Sequence, residues 1–343
     1  MIDFSTEGLY KQLAERPHVV ILGAGASVAT IPKEDKYGVH SITMANCIDA
    51  LKLKDLLLAA NIKEKSGNLE AIYSELAERK DCELLKMVIE DKITTYFGNL
   101  KLPDTPTIYD YLLLSLRKKD YVFTFNWDPM LIQAYQRVSN ITDNLPLMVF
   151  LHGNIGMAKC DNCGQIQYSF NSECISCGCE SLIRSKLLFP VKDKSYTDDE
   201  YISNAWRTFL EVIAGCTILT VFGYSAPSSD IKAVKAMQVA FNSNFRKFDK
   251  IEIIDIKPEN EISENWNPFF ESTNSNYDII PSFWNSILAR FPRRTIEGYC
   301  QANIKCWWGD SSIKFRPDLN FEELKNLITP LLNKEKQNDY SVI

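Results

Sequence analysis

Val19-Val20-Ile21-Leu22-Gly23-Ala24-Gly25-Ala26-Ser27-Val28-Ala29 reads as a strand, a tight turn and the start of a helix. Four apolar residues in a row, three of them β-branched, suit a strand buried on both faces, as in a parallel sheet. The small residues that follow let backbone amides approach a phosphate at the entry to a helix. Against the dinucleotide fingerprint, the third glycine position is Val28 and no acidic residue ends a second strand about 20 residues later. A plain strand-to-helix turn therefore stays open as the alternative reading of this stretch.

Four more runs of the same kind follow: Tyr121 to Phe125, Leu147 to Leu151, Thr217 to Phe222 and Ile251 to Ile256. Between them, apolar residues spaced by three and four predict helices over 68–79, 82–97, 107–116 and 230–241, with 319–332 as a closing helix. Strand and helix alternate, which predicts an α/β fold. The expected architecture is a doubly wound, Rossmann-like parallel sheet with helices on both faces and ligands at the carboxyl ends of the strands. Residues 1–34, 119–157 and 183–343 are assigned to this domain, 35–118 to a helical subdomain, and 158–182, rich in Cys, Gly, Asn and Ser, to a small insertion. Beyond about residue 258 the pattern is hard to read. Residues 333–343 are expected to fray, and Phe283-Trp284 and Trp307-Trp308 to act as aromatic anchors.

The composition excludes several classes. With 45% apolar and 24% charged residues in 343, disorder, collagen and coiled coil are ruled out. A net charge of −6 supplies no positive field for a phosphate backbone, so no direct nucleic-acid binding is expected. The basic clusters Arg117-Lys118-Lys119 and Arg290-Phe291-Pro292-Arg293-Arg294 are expected to be solvated surface. Asp3 and Glu7 ahead of the apolar run Val19 to Ala26 do not make a signal peptide. The longest uncharged stretch, Val212 to Ser229, is broken by Gly215, Gly223 and Pro227, so no membrane association is expected. Five of the ten cysteines lie between 160 and 179 and the rest are scattered, which favours a metal site in a reducing cytoplasm over a disulfide framework.

The residues able to do chemistry cluster at strand ends. Thr124-Phe125-Asn126-Trp127-Asp128-Pro129 places an amide and a carboxylate two residues apart where the chain leaves the second strand. Both could enter one pocket, or Asp128 could cap the helix that Pro129 begins while Asn126 satisfies loop backbone. Leu151-His152-Gly153-Asn154 ends the third strand with one of only three histidines, a general base or a turn residue bonded to backbone. Gly223-Tyr224-Ser225 and Asp255-Ile256-Lys257 end the fourth and fifth; Asp255 could accept from a ribose, and Ser229 or Asp230 could cap a helix.

The sharpest local signal is Cys160-Asp161-Asn162-Cys163-Gly164 with Cys174-Ile175-Ser176-Cys177-Gly178. Each Cys-x-x-Cys-Gly knuckle can offer two thiolates to one tetrahedral ion, and the glycine relieves the turn. A structural four-thiolate zinc site is expected at Cys160, Cys163, Cys174 and Cys177, with Cys179 as a spare for Cys177. Rubredoxin-like iron and free thiols are the rivals.

Taken in order, the Gly-Ala-Gly-x-Ser loop, the Asn-x-Asp turn, the His-Gly turn, the four-cysteine ribbon and the Gly-x-Ser turn resemble the sirtuin family over residues 18–256. The Phe-Asn-Trp-Asp and Phe-Gly-Tyr-Ser turns look closest to divergent prokaryotic sirtuin-like domains, many of which hydrolyse NAD in anti-phage defence. The resemblance implies a sirtuin-type NAD-binding domain in which Gly23, Ala24, Gly25, Ala26 and Ser27 hold the NAD phosphates. It also implies that Asn126 and Asp128 contact the nicotinamide ribose and carboxamide, that His152 acts on a ribose hydroxyl, and that Gly223, Ser225 and Asp255 hold the adenosine half. The expected activity is NAD hydrolysis to ADP-ribose and nicotinamide, with Asn126 and His152 catalytic, zinc structural, and a homo-oligomer working with a partner ATPase or sensor protein.

Departures from the protein-deacylating members matter as much. Thr30-Ile31-Pro32-Lys33-Glu34-Asp35 stands where those enzymes carry Gly-Ile-Pro-Asp-Phe-Arg, and Leu187-Leu188-Phe189-Pro190-Val191 puts proline at the glycine of their peptide-binding strand. Strand addition by a peptide is weakened, because proline lacks a donor. A protein-lysine deacylase and a non-catalytic nucleotide-sensing subunit are the alternative functions.

Overall fold

The computed structural model describes residues 6–64, 66–168, 173–189, 196, 199–226, 230–243, 250–273, 276–304, 306, 309 and 311–342. Of the positions singled out in the sequence, Asp3, Pro190, Val191, Pro227, Ser229, Trp307, Trp308 and Ile343 lie outside the described residues.

The first strand, β1 (His18–Leu22), is buried along its whole length. Its side chains alternate between two cores, Val20 and Leu22 facing one and Val19 and Ile21 the other. That two-residue period is what a strand covered on both faces requires. The others are β2 (Tyr121–Thr124), β3 (Leu147–Phe150), β4 (Ala158–Cys160), β5 (Ile166–Gln167), β6 (Leu182–Arg184), β7 (Ile218–Phe222), β8 (Lys250–Ile254) and β9 (Asn276–Ile280). Six form one sheet in the order β3-β2-β1-β7-β8-β9, and every neighbouring pair is parallel. Counting only these six in chain order gives 3-2-1-4-5-6, so the winding reverses between β1 and β7, and ligands bind at such a switch point.

Helices Leu69–Glu78, Glu83–Gly98, Ile108–Ser115 and Ile231–Phe241 stand within a residue or two of their expected places. The helices of segment 35–118 share one continuous apolar core with Val20, Leu22, Val122 and Phe222, so they cover one face of the sheet. Helix Glu200–Gly215 helps cover the other through Ile202, Trp206, Phe209 and Ile213. The small antiparallel sheet β5-β4-β6 belongs to the cysteine-rich insertion. Among the described residues no helix is long and apolar enough to cross a membrane.

Two expectations are corrected in the C-terminal third. Arg117, Arg293 and Arg294 are buried rather than solvated. Arg117 pairs with Glu297 at 2.6 Å, while Arg293 and Arg294 both bind Glu335, the last residue of helix Phe321–Glu335. A buried guanidinium needs such a partner, and helices far away in sequence supply it. The tail expected to fray is held at two points, since Arg294 donates to the Asp339 carbonyl at 3.1 Å and stacks on Tyr340. The sixth strand, β9, escaped the sequence because Asn276 and Asp278 interrupt its apolar run at the sheet edge.

His18 is sealed where β1 begins, its Nδ1 2.9 Å from Thr295 Oγ1 and its Nε2 2.8 Å from Thr220 Oγ1. Burial lowers its pKa to about 3, overriding the attraction of Asp120. Between that value and an unfolded value of about 6.5 the unfolded chain binds a proton that the folded chain does not, so stability falls on acidification, with a limiting slope of about 1.4 kcal/mol per pH unit. Glu252, raised to about 7 by burial, contributes a slope of opposite sign that both proteins would share. The melting temperature of the natural chain should therefore drop more steeply from pH 7 to pH 4 than that of His18→Gln. Parallel profiles would show that His18 takes up no proton on unfolding.

Candidate functional site

All six strands point the same way, so the residues after each strand meet along one edge. The ladder continues one step past the strand ends: Gly23 N donates to Phe222 O at 3.0 Å, Phe125 N to Leu22 O at 3.0 Å, Leu151 N to Thr124 O at 2.9 Å and Gly223 N to Ile254 O at 3.0 Å. These bonds fix the relative height of the loops carrying the expected strand-end residues. The strongest constraint lies at the switch point, where Gly23 and Gly25 meet Gly223 backbone to backbone. A Cβ on Gly223 would come within 2.3 Å of Ala26 N, and Gly223 has a φ of +62°, so no other residue fits there without displacement. The closeness has a chemical consequence. Gly25 N donates to Gly223 O at 2.9 Å and Ala26 N to Gly23 O at 3.0 Å, so those amides are already engaged within the protein.

Next to this junction Asn126 is pinned by its amide nitrogen, which lies 2.8 Å from Gly23 O, 2.9 Å from Ser27 Oγ and 3.2 Å from Tyr109 OH. The Gly23 carbonyl can only accept, so the atom facing it is the nitrogen and the amide has one orientation. Ser27 Oγ donates to Asp128 Oδ2 at 2.6 Å and stands 2.9 Å from Tyr109 OH, which leaves its lone pairs to accept from Asn126 and Tyr109. Among the described residues no hydrogen bond reaches Asn126 Oδ1, and the residue is half-buried. The carbonyl oxygen is thus held away from the network, ready to accept from a water or a sugar hydroxyl.

Asp128 is buried with both oxygens engaged inside the protein. Oδ2 serves Ser27, while Oδ1 accepts from Met130 N at 3.1 Å, where helix Met130–Val138 begins. Burial pushes its carboxyl above the usual range, against the hydrogen bonds from Ser27 and Met130 that hold it down. Burial, helped by the charge of Asp128, also keeps the Tyr109 phenol far above its ordinary value, so Tyr109 stays a donor.

His152 follows β3 and is buried at the neighbouring strand end, its ring meeting Phe125 edge-on at 4.9 Å. Phe125 stacks in turn on Tyr224 at 4.3 Å. Asn154 ties the two strand ends together, its Nδ2 donating to Asp128 O at 2.7 Å and Asn126 O at 3.3 Å. The segment after the ribbon crosses the same turn, with Leu188 N donating to His152 O at 2.9 Å. Leu187 and Phe189 pack against the core shared with the helical segment, Phe189 on Tyr73 at 5.3 Å and on Trp127 at 5.2 Å. On the far side of β1, Ser225 is half-buried, and Asp255 accepts from Lys257 N at 3.0 Å. Asp230 rather than a serine leads into helix Ile231–Phe241, and its carboxylate accepts from Tyr224 OH at 3.0 Å. A surface concavity of about 590 Å³ is lined by Asn61, Lys63, Glu75, Glu78 and Arg79, and no strand-end residue takes part in it.

Sequence reasoning missed Tyr109 and Asn154. Tyr109 sits in the apolar pattern of helix Ile108–Ser115 and reads as core; the only clue was a phenol that needs a partner when buried. Asn154 is fully buried and was seen only as part of a turn.

In the insertion, the sulfurs of Cys160, Cys163, Cys174 and Cys177 all lie within 4.8 Å of one another. Cys160 to Cys177 and Cys163 to Cys174 are each 3.6 Å apart, close to the edge of about 3.8 Å implied by a zinc–sulfur bond of about 2.3 Å in a tetrahedron. Gly164 and Gly178 have φ of +71° and +70°, as tight knuckle turns require. The four residues fit a tetrahedral thiophilic ion.

No family model matches the chain, and no curated protein matches it. Among solved structures it is similar to one described as "Structural Basis for the Mechanism and Regulation of Sir2 Enzymes", at 13% identity over 85% of this chain and 97% of that chain, TM-score 0.41. It is also similar to "Sir2 bound to acetylated peptide", at 15% identity over 88% and 99%, TM-score 0.38. A third, a Sir2 homolog–NAD complex, shares 14% identity over 88% and 95%, TM-score 0.35.

Proposed function

We propose that this chain is a sirtuin-like NAD glycohydrolase acting in anti-phage defence, in which water takes the ADP-ribosyl group: NAD⁺ and H₂O give ADP-ribose, nicotinamide and a proton. The observation that carries this reading is the pinned Asn126 amide at the switch point of a 3-2-1-4-5-6 sheet, with His152 at the adjacent strand end. Breaking the nicotinamide–ribose bond develops positive charge on the sugar, so the site must orient a neutral nucleophile and polarise a ribose hydroxyl. Asn126 Oδ1 accepts from the attacking water without ionising, and His152 takes the proton of a ribose hydroxyl.

Four strand intervals separate β3 from β8, about 19 Å at a spacing near 4.8 Å, so a ligand touching both His152 and Asp255 is extended, as a dinucleotide is. Gly23, Ala24, Gly25, Ala26, Ser27 and Asp128 would line its middle and the nicotinamide ribose, and Gly223, Ser225 and Asp255 its adenosine half. Ser27 contributes through Asp128 and Asn126, since its side chain turns inward. Zinc would close the ribbon through Cys160, Cys163, Cys174 and Cys177.

Hydrolysis is preferred to deacylation because Leu187 and Phe189 are packed into the chain's own core and Leu188 N is already bonded, leaving that segment little to offer an incoming peptide. The test is incubation of the pure chain with NAD and no acylated peptide, repeated with lysate from phage-infected cells as a source of trigger. Equal release of nicotinamide and ADP-ribose is expected. Turnover only with an acyl-lysine peptide would make the chain a deacylase, and saturable NAD binding without turnover in any condition would make it a sensor.

A further inference from the structure

The cysteine cluster holds a fifth sulfur. Cys179 Sγ lies 3.1 Å from Cys160 Sγ and 3.5 Å from Cys177 Sγ, so it stands as close to these two as the four knuckle sulfurs stand to one another. The backbone holds it there: Gly178 N donates to Cys174 O and Cys174 N to Cys179 O, both at 2.8 Å, closing the loop 174–179 on itself. Cys177 and Cys179 flank Gly178 and both turn their sulfurs toward Cys160. A structural zinc takes four ligands, so five sulfurs cannot all bind one ion. As the sulfurs stand, Cys177 at 3.6 Å from Cys160 matches the edge of about 3.8 Å between two thiolates on one tetrahedral zinc, and Cys179 at 3.1 Å would have to draw back from Cys160 to take the same place.

We infer that Cys179 is an interchangeable fourth ligand: the metal is held by Cys160, Cys163 and Cys174, and either Cys177 or Cys179 completes the tetrahedron. The inference rests on the four-thiolate reading proposed above. Cys163 and Cys177 are exposed and Cys179 less so, while Cys160 and Cys174 are buried. Exchange needs Cys179 to swing from its place 3.5 Å beside Cys177 toward Cys163 and Cys174, which with Cys160 and Cys177 form the set of sulfurs all within 4.8 Å of one another. Cys179 can refill the fourth position whenever Cys177 lets go, so the site would recapture its ion and lose it more slowly than four cysteines alone.

The experiment uses the full chain with zinc counted by elemental analysis, and cobalt substituted for zinc so that the sulfur-to-metal charge-transfer band counts thiolates. The natural chain should hold about one ion, and Cys163→Ser should hold little. Cys177→Ser and Cys179→Ser should each keep about one ion with a four-thiolate spectrum, while the double variant should fall to the level of Cys163→Ser. Loss of metal in Cys177→Ser alone, or retention with a three-thiolate spectrum, overturns the interchange. A natural chain without zinc or cobalt binding would overturn the metal reading itself and the inference with it. A faster loss of zinc to a competing chelator from Cys179→Ser than from the natural chain is the kinetic counterpart, and equal rates would contradict the exchange route.

Discussion

Asn126→Asp should be at least as damaging as Asn126→Ala, although aspartate keeps the shape of the side chain. Its second oxygen would face Gly23 O at 2.8 Å, where two acceptors cannot bond, and would bring a second carboxylate to the Ser27 hydroxyl that already serves Asp128. The orientation of the amide then fails, and with it the placing of the water. Losing one preorganised polar group of this kind costs a factor of about 10²–10³ in turnover, and both variants should show that loss in kcat with the fold intact by thermal melting. Tyr109→Phe removes one partner while keeping the ring, and a smaller drop in kcat with little change in KM is expected. The comparison separates two roles for residue 126. If aspartate outperforms alanine, position 126 works as a base and the pinned-amide account is wrong.

What the sequence could reveal about this site follows from how local each signal is. β1 was legible because His18–Leu22 is buried on both faces, and a continuous apolar run has few other uses. Asn126 and His152 were legible as loop residues beside such runs. Their partners were not: Tyr109 reaches the site from a helix of the segment inserted between β1 and β2, and nothing in its own neighbourhood marks a hydroxyl 2.9 Å from Ser27. The same limit misled the reading of the arginines. A cluster of basic residues in a sequence is solvated unless acids come to meet it, and Glu297 and Glu335 do so from other elements, with Glu335 41 residues beyond Arg294. β9 was hidden for a related reason, since it lies at the sheet edge, where Tyr277 and Asp278 are exposed and polar residues are tolerated.

The arginine cluster also predicts where the fold is most vulnerable. Glu335 accepts from Arg293 Nε at 2.7 Å and from its terminal nitrogen at 2.6 Å, from Arg294 at 2.7 Å and from Asn144 Nδ2 at 2.9 Å. Burial works to raise its carboxyl, but the two guanidinium groups outweigh burial and hold it below the usual carboxylate range. Through Arg293, which also donates to Leu116 O and Asn144 O at 3.1 Å each, the same contact ties the C-terminal helix to the loops entering β2 and β3. Glu335→Ala would leave two buried cations without their shared acid, a change that costs about 3–5 kcal/mol. Denaturant unfolding should show that loss, whereas Glu322→Ala, on the exposed first turn of the same helix, should stay within about 0.5 kcal/mol. The sign with pH is fixed as well. A carboxyl whose pKa is depressed by folding contributes fully above its unfolded value of about 4.3 and loses that contribution as pH falls through the folded value, so the gap between the natural chain and Glu335→Ala should narrow only in acid. A gap that stayed constant down to pH 3 would mean the helix is held by packing of Leu324, Ile328 and Leu331, and that the buried charges are incidental to it.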